Sequence, residues 1–149
     1  MNLWIDTTPA ELAQVLKRTK VLLINETEAQ SLGKTSDLDK AARALQSMGP
    51  ETVVIKQGSL GAALYDGNTR VGIGVFPVET VIDPTGAGDT FGGGFMAALA
   101  HTNDYQEALV NGSALASFCV EGFGVETLVQ AQQDEIEHRK EFLRRTVSS

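Results

Sequence analysis

The residues of this chain best suited to chemistry lie in Val81-Ile82-Asp83-Pro84-Thr85-Gly86-Ala87-Gly88-Asp89, which runs on into Thr90-Phe91-Gly92-Gly93-Gly94-Phe95. Val81 and Ile82 read as the end of a strand and Thr90 onward as a helix, so Gly86-Ala87-Gly88 falls on a strand-to-helix turn. Small residues there let successive backbone N–H groups point at one spot, where they can hold an anion. The helix dipole adds about 0.3–1 kcal/mol. Asp89 conflicts with a bare anion site, because a carboxylate repels phosphate. The conflict is removed if Asp89 faces a hydroxyl. It can then take the proton as that oxygen attacks a phosphorus held by the N–H groups. Taken alone, the Gly-x-Gly spacing is equally compatible with a tight turn that holds nothing. Gly92, Gly93 and Gly94 fall inside the helix, where glycine costs about 1 kcal/mol relative to alanine. Close packing or the approach of a ligand would offset that cost.

Two other phosphate motifs fail on spacing. A dinucleotide fingerprint needs glycine where Phe91 stands, and would place Asp89 against a pyrophosphate. Gly33-Lys34-Thr35 resembles the end of a P-loop, but the first glycine of that pattern falls on Glu28. The stretch reads instead as a helix C-cap and a polar loop. His101 and His138 are the only histidines and neither has a cysteine or second histidine near it in sequence, which argues against zinc. Cys119 is the only cysteine, so no internal disulfide forms. It sits in the apolar run Ala114 to Val120 and reads as a small core residue rather than a nucleophile.

The elements that must position the turn are legible from pattern. Thr8-Pro9-Ala10-Glu11 has the form of a capping box with proline at the first helical position, opening a helix to about Lys17. Val21-Leu22-Leu23-Ile24 is a continuous apolar run, as expected of a buried parallel strand. Asn25-Glu26-Thr27-Glu28 is a second capping box, for a short helix ending near Gly33. Ser36-Asp37-Leu38-Asp39 caps a third, with Leu38, Ala41, Ala42, Leu45 and Met48 on one face and Gly49-Pro50 at its end. Thr52 to Lys56 is a strand, Gly58-Ser59-Leu60-Gly61 a turn, and Ala62 to Tyr65 a returning strand. Asp66-Gly67-Asn68 turns again, and Val71 to Phe76 is extended. Helices then dominate: about Thr90–Ala100, Asp104–Cys119 and Gln130–Arg145. The last pairs Glu135 with Arg139 and Glu141 with Arg145 at i,i+4 and reads as a solvated face. Strand–helix alternation predicts an α/β sheet covered by helices, with ligands beyond the carboxyl ends of the strands. The Asn25, Gly58 and Asp83 turns are expected at such ends, on a common rim.

Bulk properties narrow the class. The chain has 149 residues, enough for one domain or a piece of a larger one. Its net charge of -7, with no Lys/Arg block, argues against nucleic acid or an anionic membrane as partner. An anionic small ligand remains compatible, because local N–H groups can outweigh net charge. No apolar run approaches the ~18 residues of a membrane span, and Met1 is followed by Asn-Leu-Trp-Ile rather than a signal peptide. The expectation is a soluble cytoplasmic α/β protein.

With these residues in view, the chain resembles the ribokinase-like (PfkB) carbohydrate kinases. Asp83 to Phe91, followed by Gly94-Phe95, is similar to that family's second signature. Asn25-Glu26-Thr27-Glu28 is similar to its N-x-x-E motif, and Lys56-Gln57-Gly58-Ser59-Leu60-Gly61 to its nucleotide-cradling G-x-x-G turn. The motifs come in the family's order, and the likeness continues through Cys119-Val120-Glu121-Gly122-Phe123-Gly124. The resemblance implies a three-layer αβα sandwich and ATP-dependent transfer of a phosphoryl group to a sugar or sugar-like alcohol. It implies that Asp89 is the base, and that Gly86, Ala87, Gly88 and the Asp89 N–H form the anion hole. Asn25 would approach the ATP phosphates, and Glu28 would organise Mg²⁺ through water. Lys56, Gly58, Ser59 and Gly61 would wall the nucleotide, with Asn111 or Ser113 near the adenine. Asp83, Cys119, Gly122 and Gly124 match positions lining the family's monovalent-cation (K⁺) site, mostly through backbone oxygens. Gly122 departs from the longer side chain usual there.

The family's chain is about twice as long, and its amino-terminal half carries most of the sugar contacts and the lid. Met1-Asn2-Leu3-Trp4 resembles an internal stretch of the family, just after a central strand. Residues 1–149 are therefore expected to be the carboxyl-terminal, nucleotide-binding half, with the sugar-binding and lid half absent. Two functions follow: a carbohydrate kinase, inactive or active as this half-chain, or a non-catalytic nucleotide-binding or self-associating module. Removing half a parallel sheet exposes an edge, so self-association through that surface is expected. Related kinases use nucleoside acceptors, and the motifs do not distinguish sugar from nucleoside.

Overall fold

The computed structural model describes residues 2–149, apart from the side chains of Asn2, Leu3 and Asp6. Met1, which opens the stretch compared above with the family's interior, lies outside the described residues. The chain forms two compact units. One takes the residues up to Gly58 together with Ala62–Arg70, and the other takes Ser59–Gly61 and Val71–Ser149.

In the first unit, helices α1 (Asn2–Thr7) and α2 (Pro9–Leu16) precede strand β1 (Val21–Asn25). Helices α3 (Glu26–Gly33) and α4 (Leu38–Ser47) follow, then strands β2 (Thr52–Lys56) and β3 (Ala62–Asp66). Strand β4 (Thr69–Ile73) starts here and continues into the second unit. The sheet order is β1-β2-β3-β4, so among the described residues β1 pairs with β2 alone. β1 and β2 run parallel, with Asn25 opposite Lys56, and β3 returns antiparallel to β2. The apolar face expected of α4 is observed: Ala41, Ala42 and Leu45 are buried in one cluster with Ile24, Val53 and Ile55, and Leu38 and Met48 pack against it. Each fully buried Leu or Ile there contributes about 1.5–3 kcal/mol. Asp37 accepts the Lys40 N–H at 3.1 Å, which makes it the cap of α4.

The capping box expected at Thr8 does not form. Thr8 stands at φ −137°, ψ 55° with no side-chain cap bond. Because α1 ends immediately before it, its hydroxyl donates backward to the Trp4 carbonyl at 3.4 Å. Proline at the first helical position is left to start α2.

The second unit is mainly helical: α5 (Ala87–Thr102), α6 (Tyr105–Cys119), α7 (Glu126–Gln130) and α8 (Gln133–Arg144). Asp104 caps α6 by accepting the Gln106 and Glu107 N–H groups at 2.8 and 3.1 Å. α5 and α6 meet at glycines. A Cβ added to Gly112 would lie 2.8 Å from the Phe91 carbonyl oxygen, and one added to Gly94 2.8 Å from Leu115 Cδ1. Phe95 beside them is fully buried. Gly72 pairs with Ser148, joining the end of β4 to the chain's last residues.

Two further expectations fail. Val81 and Ile82 are not in a strand, and both are about half exposed, at 57% and 51%. The Ile82 and Asp83 N–H groups bond instead to the Val120 carbonyl, at 2.8 and 3.3 Å, so the segment leans on the end of α6 rather than on a sheet. The last helix is also divided. Gln132 and Glu135 form a capping box that starts α8 afresh, which occupies Glu135 with the Gln132 N–H at 3.0 Å. Arg139 therefore does not pair with Glu135. Its guanidinium carbon lies 3.5 Å from the centre of the Phe118 ring and 4.8 Å from that of Phe76. Its nitrogens bond Ser117 Oγ at 2.8 Å and Glu121 at 2.5 Å. This part of the charge run faces the protein. The Glu141–Arg145 pair does form, at 4.0 Å on exposed side chains.

Candidate functional site

In the first unit the candidate residues sit where β1 and β2 end. Asn25 closes β1 and caps α3: its Oδ1 accepts the Glu28 N–H at 2.8 Å, and Glu28 Oε2 accepts the Asn25 N–H at 3.3 Å. This reciprocal box holds Glu28, 7% exposed, at the first turn of α3. Lys56 ends β2 directly opposite Asn25. Gly58 opens the short 3₁₀ turn Gly58–Leu60 that follows. Through that turn the chain passes into the second unit. There, Gly61 has φ 95°, and a Cβ on it would collide with the carbonyl oxygen of Ile73, so only glycine fits.

The second unit holds the glycine turn. Gly86 is the N-cap of α5 at φ 83°, ψ −8°, a left-handed conformation that swings the chain from the Asp83 loop into the helix. Asp83 organises the approach: its Oδ1 accepts the Thr85 N–H at 2.9 Å. The Thr85 hydroxyl and N–H together hold the Asp83 carboxyl below the usual carboxylate range. Within the turn, the Ala87 N–H donates to Pro84 O at 3.2 Å and the Asp89 N–H to Gly86 O at 3.1 Å. Asp89 lies in the first turn of α5 with its side chain exposed.

Cys119 ties the turn to the segment after α6. The thiol is buried, and it donates toward Thr85 O at 3.6 Å and Gly124 O at 3.4 Å. The carbonyl of Gly124, one of the positions expected at the cation site, and that of Thr85 therefore converge on one sulfur. Gly122 is glycine for a packing reason, since a Cβ would stand 2.6 Å from Thr127 Cγ2. Thr127 in turn donates to Phe118 O at 2.5 Å. Asn111 has its amide on Gly94 O at 2.8 Å, across the α5–α6 contact, and Ser113 is buried at 9% exposure.

Sequence reasoning missed the support behind this segment. Arg139 anchors Glu121, which directly follows the Val120 carbonyl that receives Ile82 and Asp83. Helical spacing alone pointed Arg139 at Glu135; only the break before α8 turns it inward. Among the described residues, no group of three or more His, Cys, Asp or Glu side chains could hold a metal ion, and no helix is long and apolar enough to cross a membrane.

Comparison with known proteins bears on the family and the fold. The model of the pfkB family of carbohydrate kinases matches residues 1–132, and the chain belongs to that family. It is 35% identical over 100 residues to a cytidine kinase of Thermococcus kodakarensis, covering 66% of this chain and 36% of that protein. It is 33% identical over 141 residues to a ribokinase of Haemophilus influenzae, covering 89% of this chain and 45% of that one. The Arabidopsis thaliana ribokinase solved with ribose and ATP superposes with a TM-score of 0.77 at 28% identity, over 87% of this chain and 43% of that one. The fold is thus the ribokinase-like α/β sandwich that the motifs imply. The chain spans less than half the length of these relatives.

Proposed function

We propose that the chain is the carboxyl-terminal, nucleotide-binding half of a cytoplasmic ATP-dependent phosphotransferase whose acceptor is an alcohol group of a sugar or nucleoside. The observation that carries this reading is the Gly86 turn at the start of α5 with Asp89 exposed in the first helical turn. The relatives named ribokinase and cytidine kinase support the two acceptor classes.

In this mechanism the Asp89 carboxylate accepts the acceptor's hydroxyl proton. The freed oxygen forms its bond to the γ-phosphorus as the bond to the ADP oxygen breaks. The N–H groups of Gly86, Ala87, Gly88 and Asp89, at the positive end of α5, stabilise charge on the moving phosphoryl oxygens. Those of Ala87 and Asp89 already have internal acceptors at 3.2 and 3.1 Å, so an arriving oxygen must compete with or share these bonds. Asn25, at the end of β1, would approach the ATP phosphates, and Lys56, Gly58, Ser59 and Gly61 would wall the nucleotide. Asn111 or Ser113, on α6, would lie near the adenine. Glu28 suits Mg²⁺, which commonly takes one or two carboxylates, substrate phosphates and waters. Bound there, the ion would neutralise phosphate charge. Asp83, Cys119, Gly122 and Gly124 would hold a K⁺ ion, which would supply positive charge near the turn; the Cys119 thiol is the donor to the Thr85 and Gly124 carbonyls there.

A second reading is a non-catalytic nucleotide-binding module that self-associates. A phosphotransfer assay with ATP, Mg²⁺ and a panel of sugars and nucleosides separates the two. Acceptor-dependent ADP release supports the enzyme, and nucleotide binding without turnover supports the module. Asp89→Asn should lower any transfer by about 10²–10⁴-fold while nucleotide still binds; undiminished transfer would remove Asp89 from the mechanism.

A further inference from the structure

The approach to the Gly86 turn is held by the end of α6. The Ile82 and Asp83 N–H groups reach the Val120 carbonyl at 2.8 and 3.3 Å, and the Cys119 thiol reaches Thr85 O at 3.6 Å. Cys119 is the last residue of α6 and Val120 its C-cap. Arg139, on α8, grips the residues on either side of this pair. One guanidinium nitrogen donates to Ser117 Oγ at 2.8 Å and another to Glu121 at 2.5 Å. The guanidinium carbon stands 3.5 Å from the centre of the Phe118 ring, with that of Phe76 at 4.8 Å. Ser117 Oγ can accept because its own proton goes to Ala114 O at 2.6 Å. Arg139 thus fixes residues 117, 118 and 121, and residues 119 and 120 between them hold the turn. The Arg139 side chain is 13% exposed, so solvent screens the link little.

We infer that Arg139 is a positioning residue for the glycine turn: by orienting the last turn of α6 it sets, through Cys119 and Val120, where Asp83 to Gly86 bring the first N–H groups of α5. The inference rests on the reading above, that this turn holds the moving phosphoryl group, and adds to it a residue that acts through the end of α6. A guanidinium suits the task. Its planar fork meets Ser117 and Glu121 in fixed directions while its face lies on an aromatic ring, and a lysine ammonium has no such plane. Small displacements matter at the turn, because its N–H groups act on a phosphoryl oxygen only at hydrogen-bond distance.

The test compares Arg139→Lys with Glu107→Gln in the 149-residue chain. Glu107 also joins α6 to α8, through Lys140 at 3.1 Å and Arg144 at 2.8 Å. It does so from the first turn of α6, about 20 Å along the helix from Val120. Both variants loosen the same helix pair, and Arg139→Lys alone disturbs the end that holds the turn. In proton–nitrogen NMR spectra without ligand, the backbone signals of Ile82, Asp83, Ala87 and Asp89 should shift in Arg139→Lys and stay in place in Glu107→Gln. Calorimetric titration with ATP should show affinity lowered by about 5- to 30-fold in Arg139→Lys and unchanged in Glu107→Gln. Glu121→Gln reaches the link from its other end, keeps the side chain's shape and should shift the same signals, so the outcome does not hang on the folding of one variant. Signals that stay put in both Arg139→Lys and Glu121→Gln, or that move equally in Glu107→Gln, overturn the assignment. Shifted signals with undiminished ATP affinity also overturn it, since the contact then positions nothing that binds. A parent chain that binds no ATP, with the signals of its Arg139→Lys variant shifted, overturns instead the phosphate reading of the turn and leaves the mechanical link from Arg139 standing.

Discussion

Asp89 and Gly86 make different demands on one turn, and single substitutions separate them. Asp89 is exposed and bonded through its backbone N–H, so Asp89→Asn removes a proton acceptor without disturbing packing. Gly86 carries the strained backbone. A Cβ there meets only Cys119 Sγ at 3.8 Å, an ordinary contact, so space is not the constraint. The constraint is φ 83°, which costs an L-residue about 1–2 kcal/mol. Gly86→Ala should lower the unfolding free energy by that amount in urea melts, and should also weaken nucleotide binding, measured by titration calorimetry, as the turn reshapes. If stability falls and nucleotide binding is unchanged, the turn is structural and does not hold phosphate. The Asp89 hypothesis was readable from sequence because carboxylate, glycine spacing and helix start are all local. The Cys119 link to Thr85 and Gly124 was not, since it joins residues 34 positions apart through a buried thiol.

Between helices, the run Gly92-Gly93-Gly94 divides by what each position faces. Gly94 is buried against Leu115 and the Gly112 backbone, and Gly112 against the Phe91 carbonyl, so these two glycines set the α5–α6 approach. Gly93 faces open space. Gly112→Ala should destabilise by about 1–3 kcal/mol because its obstacle is backbone. Gly93→Ala should stabilise by about 0.5–1 kcal/mol through helix propensity alone. Thermal melts of the two variants should therefore move in opposite directions. A loss of nucleotide binding in the stabilised Gly93→Ala would mark that face as a ligand approach. The same contrast explains what sequence could and could not reveal of the elements. β1, β2, α3 and α4 are written in local alternation, apolar faces and caps, and they lie where expected. Thr8 and Val81-Ile82 fail because their partners, the Trp4 carbonyl at the end of an unforeseen helix and the Val120 carbonyl 38 residues onward, leave no local pattern. Arg139 fails because Glu135 is taken by a capping box. Its observed place between Phe118 and Phe76 gives a further expectation: Arg139→Lys keeps the charge but loses the planar stack and the two-partner fork. It should destabilise the second unit by about 1–2 kcal/mol in urea melts, with Arg139→Met worse because Glu121 then loses its cation. Equal stability of Lys and Arg would mean that charge alone matters there.

Across the whole molecule, stability against acid follows from carboxylates whose folded environments favour the ionised form. Glu107 is held below the ordinary glutamate range chiefly by the Arg144 guanidinium, whose Nη2 and Nε lie 2.8 and 3.2 Å from its two oxygens, with Lys140 at 3.1 Å. Arg144 also holds Glu137 down, the Lys40 backbone N–H does so for Asp37, and Thr85 for Asp83. Each folded value lies below the unfolded one. The stability contributed by each group is therefore complete above the unfolded value, about 3.9 for Asp and 4.3 for Glu, and is lost as pH falls through the folded value. Four such groups add in the same direction, so the unfolding midpoint should be level with respect to these carboxylates near neutrality and fall steadily below about pH 4.3. Asp37, Asp83 and Glu137 are solvated and their share should shrink as salt screens them, whereas Glu107, partly buried between α6 and α8, should keep more of its share. Glu107→Gln is then the informative variant. It should be less stable than the parent at neutral pH, and the gap should narrow as pH falls below the glutamate value, because the parent's carboxylate is by then protonated. Melting curves from pH 7 to pH 3 at low and moderate salt measure this directly. A gap that stays constant with pH would mean that Glu107 acts through packing and neutral hydrogen bonds rather than through its charge.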